Sequence, residues 1–283
     1  MAELKEISSN KIFGGYQKVF SHQSKELSCS MNFAIFLPSD SADKKFPVLY
    51  YLSGLTCNEL NMVQKSGFQQ FAAKHNIIVV CPDTSPRNIE NLDTSDFNYD
   101  FGYGAGFYVD STVEKYKNFR MYSYISSELI EVVNNNFPTL VDKQSIFGHS
   151  MGGHGSLICA LKNPGLYKSV SAFAPISNPV NCPWGNKNFT GYLGDNKDEW
   201  KAYDATELVG KYNGPPLEIF VDQGSEDQFL KENQLLPNNL IDAAKKAQVP
   251  IIYKLREGYD HSYFFIATFM GEHIEYHAKF LNN

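Results

Sequence analysis

The sequence predicts an α/β protein with a mostly parallel central sheet and helices on both of its faces. Three observations point there. Apolar runs of strand length recur along the chain, segments of helical length lie between them, and no repeat or low-complexity linker breaks the alternation. Strands buried on both faces read as continuous apolar runs, not as alternating ones.

Residues 31–37 (MNFAIFL) read as the first such strand, stopped by the turn at Pro38-Ser39-Asp40. Phe46–Leu52 (FPVLYYL) is the second, and residues 77–81 (IIVVC), stopped by Pro82, the third. Residues 145–148, 169–173, 217–222 and 250–255 follow in the same style. Helices are expected over 67–75, over the amphipathic stretch 121–135, and over 152–162, 236–248 and 272–281. Residues 88–108 and 178–200 are rich in Gly, Asn, Asp and aromatics and read as loops. Long irregular segments in compact domains are commonly functional, so both are expected to lie over a site. The chain of 283 residues is expected to fold as a single domain, 1–283.

Composition narrows the function. There are 25 Lys+Arg against 31 Asp+Glu, a formal charge of −6, with no basic cluster, which excludes nucleic acid as a partner. No apolar run reaches the roughly 18 residues that span a bilayer. The N-terminal residues show no apolar signal-peptide core and the C-terminal residues no lipidation motif, so a cytoplasmic protein without a membrane partner is expected. The five cysteines, Cys29, Cys57, Cys81, Cys159 and Cys182, are odd in number, widely spaced and free of C-x-x-C. That argues against a disulfide framework and a zinc site, and for free thiols in a reducing compartment. Asn188-Phe189-Thr190 matches a glycosylation sequon and, without a secretory signal, is expected to be chance.

The chemistry is read from Gly148-His149-Ser150-Met151-Gly152, which fits G-x-S-x-G between an apolar strand and an Ala/Leu-rich helix. A nucleophile placed there needs a sharp, strained turn. Glycines two residues to either side let strand and helix approach without a Cβ clash. The turn exposes the Ser150 hydroxyl and aims the Met151 N–H, at the helix start, toward a bound carbonyl.

A serine hydroxyl needs a neighbouring base. In the chain order of this motif the acid and then the histidine follow the serine. His154 lies on the helix just past Ser150 and cannot face back across the site. His273 and His277, one turn apart beside Glu272 and Glu275, could ligate a metal, but a solvated terminal helix is the preferred reading. His261, just past the strand over 250–255, is therefore the base. The acid is expected just past residues 217–222, where Asp222, Glu226 and Asp227 stand. Asp227 is the first choice and Asp222 the reserve; Asp260 is too close to His261 to orient it and reads as structural. The second oxyanion donor is expected in Ser53-Gly54-Leu55-Thr56-Cys57-Asn58, with Gly54 turning the Leu55 N–H inward.

Further motifs carry a resemblance. They are Tyr51-Leu52-Ser53-Gly54-Leu55-Thr56-Cys57, Ala105-Gly106-Phe107-Tyr108, residues 148–153 and Ala172-Phe173-Ala174-Pro175-Ile176. Pro183-Trp184-Gly185, Gly191-Tyr192-Leu193-Gly194, Asp222-Gln223-Gly224, Asp227-Gln228-Phe229-Leu230 and residues 258–265 complete the set. In this order, over nearly the whole chain, they resemble the S-formylglutathione hydrolase (esterase D) family, close to its animal form. The resemblance implies an α/β-hydrolase fold and a cytosolic homodimer. It also implies hydrolysis of S-formylglutathione to glutathione and formate, with a side activity on small esters and no metal or cofactor. It places the triad on Ser150, Asp227 and His261. It sets Cys57 beside the site as a thiol-reagent-sensitive residue that is not the nucleophile. His149 and Trp184 are expected near the site, Trp184 either shaping a small acyl pocket or simply packing, and Lys187 is a candidate contact for glutathione. The chain departs from the family at Tyr99-Asp100-Phe101-Gly102, where Trp-Asp-Phe-Gly is frequent. The alternative within enzymes is a general short-chain carboxylesterase or an acyltransferase. An inactive binding protein on the same fold is remote, because all three triad residues are present.

Overall fold

The computed structural model describes residues 3–39 and 44–283. A hairpin opens it: β1 (Lys5–Ile12) and β2 (Gly15–Ser24) pair antiparallel around Phe13-Gly14, whose φ angles are 47° and 78°. Two successive positive φ values give a turn whose twist matches a hairpin, and glycine adopts one of them without strain. The apolar pattern does not mark this hairpin. β1 buries none of its residues and forms a polar sheet edge, rich in the charges that discourage pairing with another chain.

β3 (Cys29–Leu37) continues antiparallel to β2. From there β4 (Phe46–Leu52), β5 (Ile78–Pro82), β6 (Thr139–His149), β7 (Val170–Phe173), β8 (Ile219–Gly224) and β9 (Ile251–Arg256) run parallel to one another. The order across the sheet is β1-β2-β3-β5-β4-β6-β7-β8-β9. Every residue of β4, β5, β7 and β8 is buried, as a sheet covered on both faces requires. The expected strands thus lie at or near their predicted places. β6 alone starts well before its apolar core, through the polar Asp142, Lys143 and Gln144.

The helices are α1 (Leu60–Lys65), α2 (Gln69–His75), α3 (Met121–Ser123), α4 (Leu129–Asn136), α5 (Met151–Lys162) and α6 (Pro183–Leu193). After them come α7 (Lys197–Trp200), α8 (Ala205–Val209), α9 (Gln228–Lys231), α10 (Pro237–Lys246) and α11 (Tyr263–Leu281). Three expectations are corrected. The helix over 121–135 is broken into α3 and α4 by a wider π-type turn, Tyr124–Glu128. Residues 178–200 are not a loop: Cys182 caps α6 and Pro183 opens it, the position where a missing N–H costs nothing. α11 begins at Tyr263, well before residue 272, with the Ser262 hydroxyl accepting the Phe264 N–H. Residues 88–108 do remain irregular, with isolated bridges Asn98–Phe101 and Gly102–Ala105.

The third correction carries a fourth. His273 and His277 do not face solvent; both are fully buried, while Glu272 and Glu275 are exposed. His277 Nδ1 lies 2.8 Å from Ser169 Oγ, and its Nε2 2.8 Å from Ser171 Oγ. The same Ser171 Oγ is 2.8 Å from His273 Nδ1, and the His273 ring stacks 3.7 Å from Phe173. These imidazoles are core packing between α11 and the sheet. Serine hydroxyls from β7 and the residue before it satisfy both nitrogens of His277 and Nδ1 of His273, while His273 Nε2 has no hydrogen-bond partner among the described residues.

Burial also fixes their charge. It lowers the pKa of His273, and that of His277 well below the usual value, with the neighbouring His273 adding to the effect on His277. His154, buried in α5 with Nε2 2.9 Å from the Phe107 carbonyl, is pushed down from 6.5 to about 4 by burial. A base whose pKa is depressed on folding binds more protons unfolded than folded. Its contribution is therefore complete above the unfolded value and is lost as pH falls through the folded one. For His154 that window runs from 6.5 down to about 4, worth about 3 kcal/mol. The urea midpoint is expected to fall steadily between about pH 7 and pH 5. Because the buried Asp204 carboxyl, raised to about 6, opposes this trend over the same range, the decisive comparison is a His154→Gln variant: a pH slope identical to the wild type's excludes a buried neutral His154.

Candidate active site

Ser150 sits between the last residue of β6 and the first of α5, at φ 59° and ψ −119°. A non-glycine residue rarely occupies that region, and the strain is held by neighbours. The Ser150 N–H donates to the Phe173 carbonyl at 2.9 Å, and its carbonyl accepts the N–H groups of His154 and Ile176. The flanking glycines are explained by approach distance. A Cβ on Gly148 would lie 2.2 Å from the Gly152 carbonyl oxygen, and one on Gly152 2.0 Å from that of Leu52. Any side chain would push α5 off the strand ends and move the serine.

The expected base, His261, lies in the loop after β9. His261 Nδ1 is 2.6 Å from Asp227 Oδ2. Asp227 is fully buried and caps α9, its Oδ1 accepting the N–H groups of Phe229 (2.8 Å) and Leu230 (3.3 Å). Its Oδ2 also accepts from Gln223 Nε2 at 2.9 Å. With the carboxylate acting only as acceptor, the shared proton sits on Nδ1 and leaves Nε2 as the free lone pair. The ring is held between the Phe229 edge (4.7 Å) and the buried His149 (4.4 Å). Neither His149 nitrogen has a hydrogen-bond partner among the described residues, and burial, then the proximity of His261, pushes its pKa well below the usual value. It is a neutral wall of the site.

The reserve acid is placed elsewhere. Asp222, inside β8, pairs with Arg256 at 2.8 Å and lies 3.5 Å from His273 Nε2. Asp260 accepts from the Ser262 N–H and hydroxyl and shapes the turn into α11.

Ser150 and His261 line one cleft of about 360 Å³ together with Gly54, Leu55, Cys57 and Trp184. Ser150 Oγ makes no hydrogen bond among the described residues. Such contacts commonly tighten only when substrate binds. A Cβ on Gly54 would stand 3.1 Å from Ser150 Cβ, so the Leu55 turn lies directly against the serine. The Leu55 and Met151 N–H groups are unengaged among the described residues, and Met151, first in α5, has no intrahelical acceptor. Cys57 is a buried thiol whose pKa burial raises, so it rests protonated. The other four cysteines are also free and buried. A larger groove of about 880 Å³ lies beside the β1–β2 hairpin, where His22 is paired with Tyr124 and Ser24 with Glu128.

Trp184 lines the cleft from α6 and packs 4.6 Å from Phe229. Tyr99 lines it from the irregular 88–108 segment, at the point where the chain departs from the family pattern. Lys187 does not line it; its ammonium is held by Asp100 and by Asn98 Oδ1. Asn188 is fully buried, donating to the Asp100 and Trp184 carbonyls, which closes the sequon in the folded protein. Sequence reasoning missed Asn61, Lys65, Phe229 and Tyr263 as lining residues. Phe229 and Tyr263 stand inside the quoted motifs beside Asp227 and His261, a signal that was there to be used. Lys65 and Asn61 fall between the oxyanion-hole motif and the serine motif, outside both, and carried none.

Among the described residues no group of His, Cys, Asp and Glu is arranged to hold a metal, and no helix is long and apolar enough to cross a membrane.

A model of the family described as putative esterase matches residues 24–276. S-formylglutathione hydrolase of Bos taurus is 58% identical over 280 residues, 99% of each chain, and that of Arabidopsis thaliana 54% identical over 98% of each. A solved S-formylglutathione hydrolase from Agrobacterium tumefaciens superposes with a TM-score of 0.93 at 42% identity, covering 98% of this chain and 99% of the other. The parallel sheet, the strained serine turn and these full-length likenesses converge: the chain belongs to the S-formylglutathione hydrolases of the esterase family, on the α/β-hydrolase fold.

Proposed function

We propose that this protein hydrolyses S-formylglutathione to glutathione and formate, with Ser150 as nucleophile, His261 as base and Asp227 as its orienting acid. The observation that carries this is the short His261–Asp227 contact beside a strained serine, in a chain 58% identical to enzymes of that name.

In the reaction, His261 Nε2 takes the Ser150 proton as Oγ bonds to the formyl carbon. The carbonyl oxygen gains the displaced electron pair and is held by the Leu55 and Met151 N–H groups. The C–S bond then breaks, and the sulfur leaves with the proton from His261. Water gives a proton to His261 as its oxygen bonds to the formyl carbon. The C–Oγ bond breaks, the proton returns from His261 to Oγ, and formic acid leaves and ionises to formate in water. Asp227 holds the imidazole in the required tautomer and balances its charge while it is protonated. No step calls for a metal or cofactor. Trp184 lines the cleft beside Phe229, and we place it against the small formyl group. A side activity on small esters follows from the same machinery.

We further propose a single-domain, cytoplasmic homodimer. One sheet running from β1 to β9 supports the first, and five free thiols suit a reducing compartment.

The test is steady-state hydrolysis of S-formylglutathione beside a neutral short-chain ester. A higher kcat/KM for the thioester is expected. A protein that turns over the ester briskly and the thioester poorly is a general esterase instead.

A further inference from the structure

We propose that Lys65, with Asn61 beside it, anchors a carboxylate of the glutathione moiety in the cleft; the inference rests on the thioester reading above. The cleft stands out electrostatically in a protein of formal charge −6. Among the described residues lining it there is no Asp or Glu, and Lys65 is the one Lys or Arg. Nearby cations are already committed. Lys187 is paired with Asp100, and Arg87 binds Asp83 through two nitrogens at 2.7 and 2.9 Å.

Lys65 is not committed. It ends α1 and is exposed, and its ammonium lies 5.5 Å from the centre of the Tyr263 ring. It forms no ion pair among the described residues. The ring face offers a weak attraction that biases the ammonium toward the cleft without neutralising it. Asn61 stands one helical turn earlier, so both side chains rise from the same face of α1. Asn61 Oδ1 accepts the Asn58 N–H at 2.9 Å, which leaves its Nδ2 as a donor. An ammonium and an amide N–H₂ on one face form a carboxylate-binding pair.

The substrate's chemistry calls for such a pair. The formyl end is small and neutral and must reach Ser150. The remainder is a tripeptide with a carboxylate at each end and a net negative charge. A positive group at the cleft wall, away from the reacting carbon, holds that remainder equally in the ground and transition states. Its contribution therefore appears in KM and not in kcat.

The experiment measures kcat and KM on S-formylglutathione and on an uncharged short-chain ester for the wild type, Lys65→Gln, Lys65→Glu and Lys65→Arg. The readout is the ratio of kcat/KM for the thioester to that for the ester. Lys65 is exposed, so the ratio is expected to fall about threefold to fivefold in Lys65→Gln. It falls about tenfold in Lys65→Glu, where attraction becomes repulsion, and returns in Lys65→Arg. The fall lies in KM and shrinks at high salt. An unchanged ratio in Lys65→Glu overturns the proposal. So does an equal loss on both substrates, which makes Lys65 structural. A wild type that cleaves the ester but ignores the thioester overturns the thioester reading itself, and the anchor with it.

Discussion

Ser150→Ala is expected to lower kcat on S-formylglutathione by about 10⁴–10⁶ while leaving the fold unchanged. The size follows from what the hydroxyl does. Without it no acyl-enzyme forms, and only the oxyanion donors and substrate binding remain to assist a direct attack by water. The intact fold follows from the structure. Ser150 is held by its backbone, through Phe173, His154 and Ile176, and its Oγ makes no hydrogen bond among the described residues. Alanine carries the same Cβ and bears the same strain at φ 59°. Thioester loss followed by absorbance gives the rate, and a urea titration gives the stability. Labelling by a fluorophosphonate probe is lost with the hydroxyl. An alanine variant that keeps more than about a hundredth of the wild-type rate excludes Ser150 as the nucleophile, because a residual that large exceeds what binding and the oxyanion donors supply.

The parts of this structure that the sequence announces are those whose cause is local. β4 and β5 bury every side chain, so their residues are continuously apolar and readable. The serine turn is readable because Gly148 and Gly152 answer to a backbone distance that any Cβ would violate. The proposed base is readable because the chain order admits few histidines and one of them follows the last strand. What stays hidden depends on distant partners. The burial of His277 requires hydroxyls at Ser169 and Ser171, more than a hundred residues away, and nothing near His277 declares them. The β1–β2 hairpin is hidden because an exposed edge strand has no apolar pattern to show. α6 is hidden because a stretch rich in Asn and Gly reads as loop, and tertiary packing of Trp184, Phe189 and Tyr192 overrides that weak propensity. Lys187 is a candidate on charge alone, and in the structure its ammonium is paired with Asp100.

The two acids near β8 can be separated by the kind of damage their amides cause. Asp227→Asn is expected to lower kcat by about 10³–10⁴ at neutral pH, with little change in KM. The wild-type carboxylate accepts on both oxygens, from Phe229 and Leu230 on one side and from Gln223 and His261 on the other. An asparagine supplies one oxygen and one N–H₂. If the oxygen stays on the helix cap, the N–H₂ faces Gln223 Nε2 and His261 Nδ1. The imidazole then accepts on Nδ1, carries its proton on Nε2, and cannot receive the proton of Ser150. If the amide turns over, the cap of α9 is lost and the loop that carries the acid shifts. Either way the rate collapses, because an imidazolium no longer has a carboxylate to balance it. Asp222→Asn acts through different contacts. It weakens the pairing of the buried carboxylate with the half-buried Arg256 beside His273, and Arg256 keeps its second partner Glu272 at 2.6 Å, so the loss is smaller than the cost of leaving a buried charge unpaired. It is therefore expected to lower the urea midpoint and to keep most of kcat in the folded fraction. Measuring kcat and the urea midpoint on both variants decides the assignment. Should Asp222→Asn lose the rate while Asp227→Asn keeps it, the acid of the triad is Asp222, and the 2.6 Å contact at His261 Nδ1 is structural only.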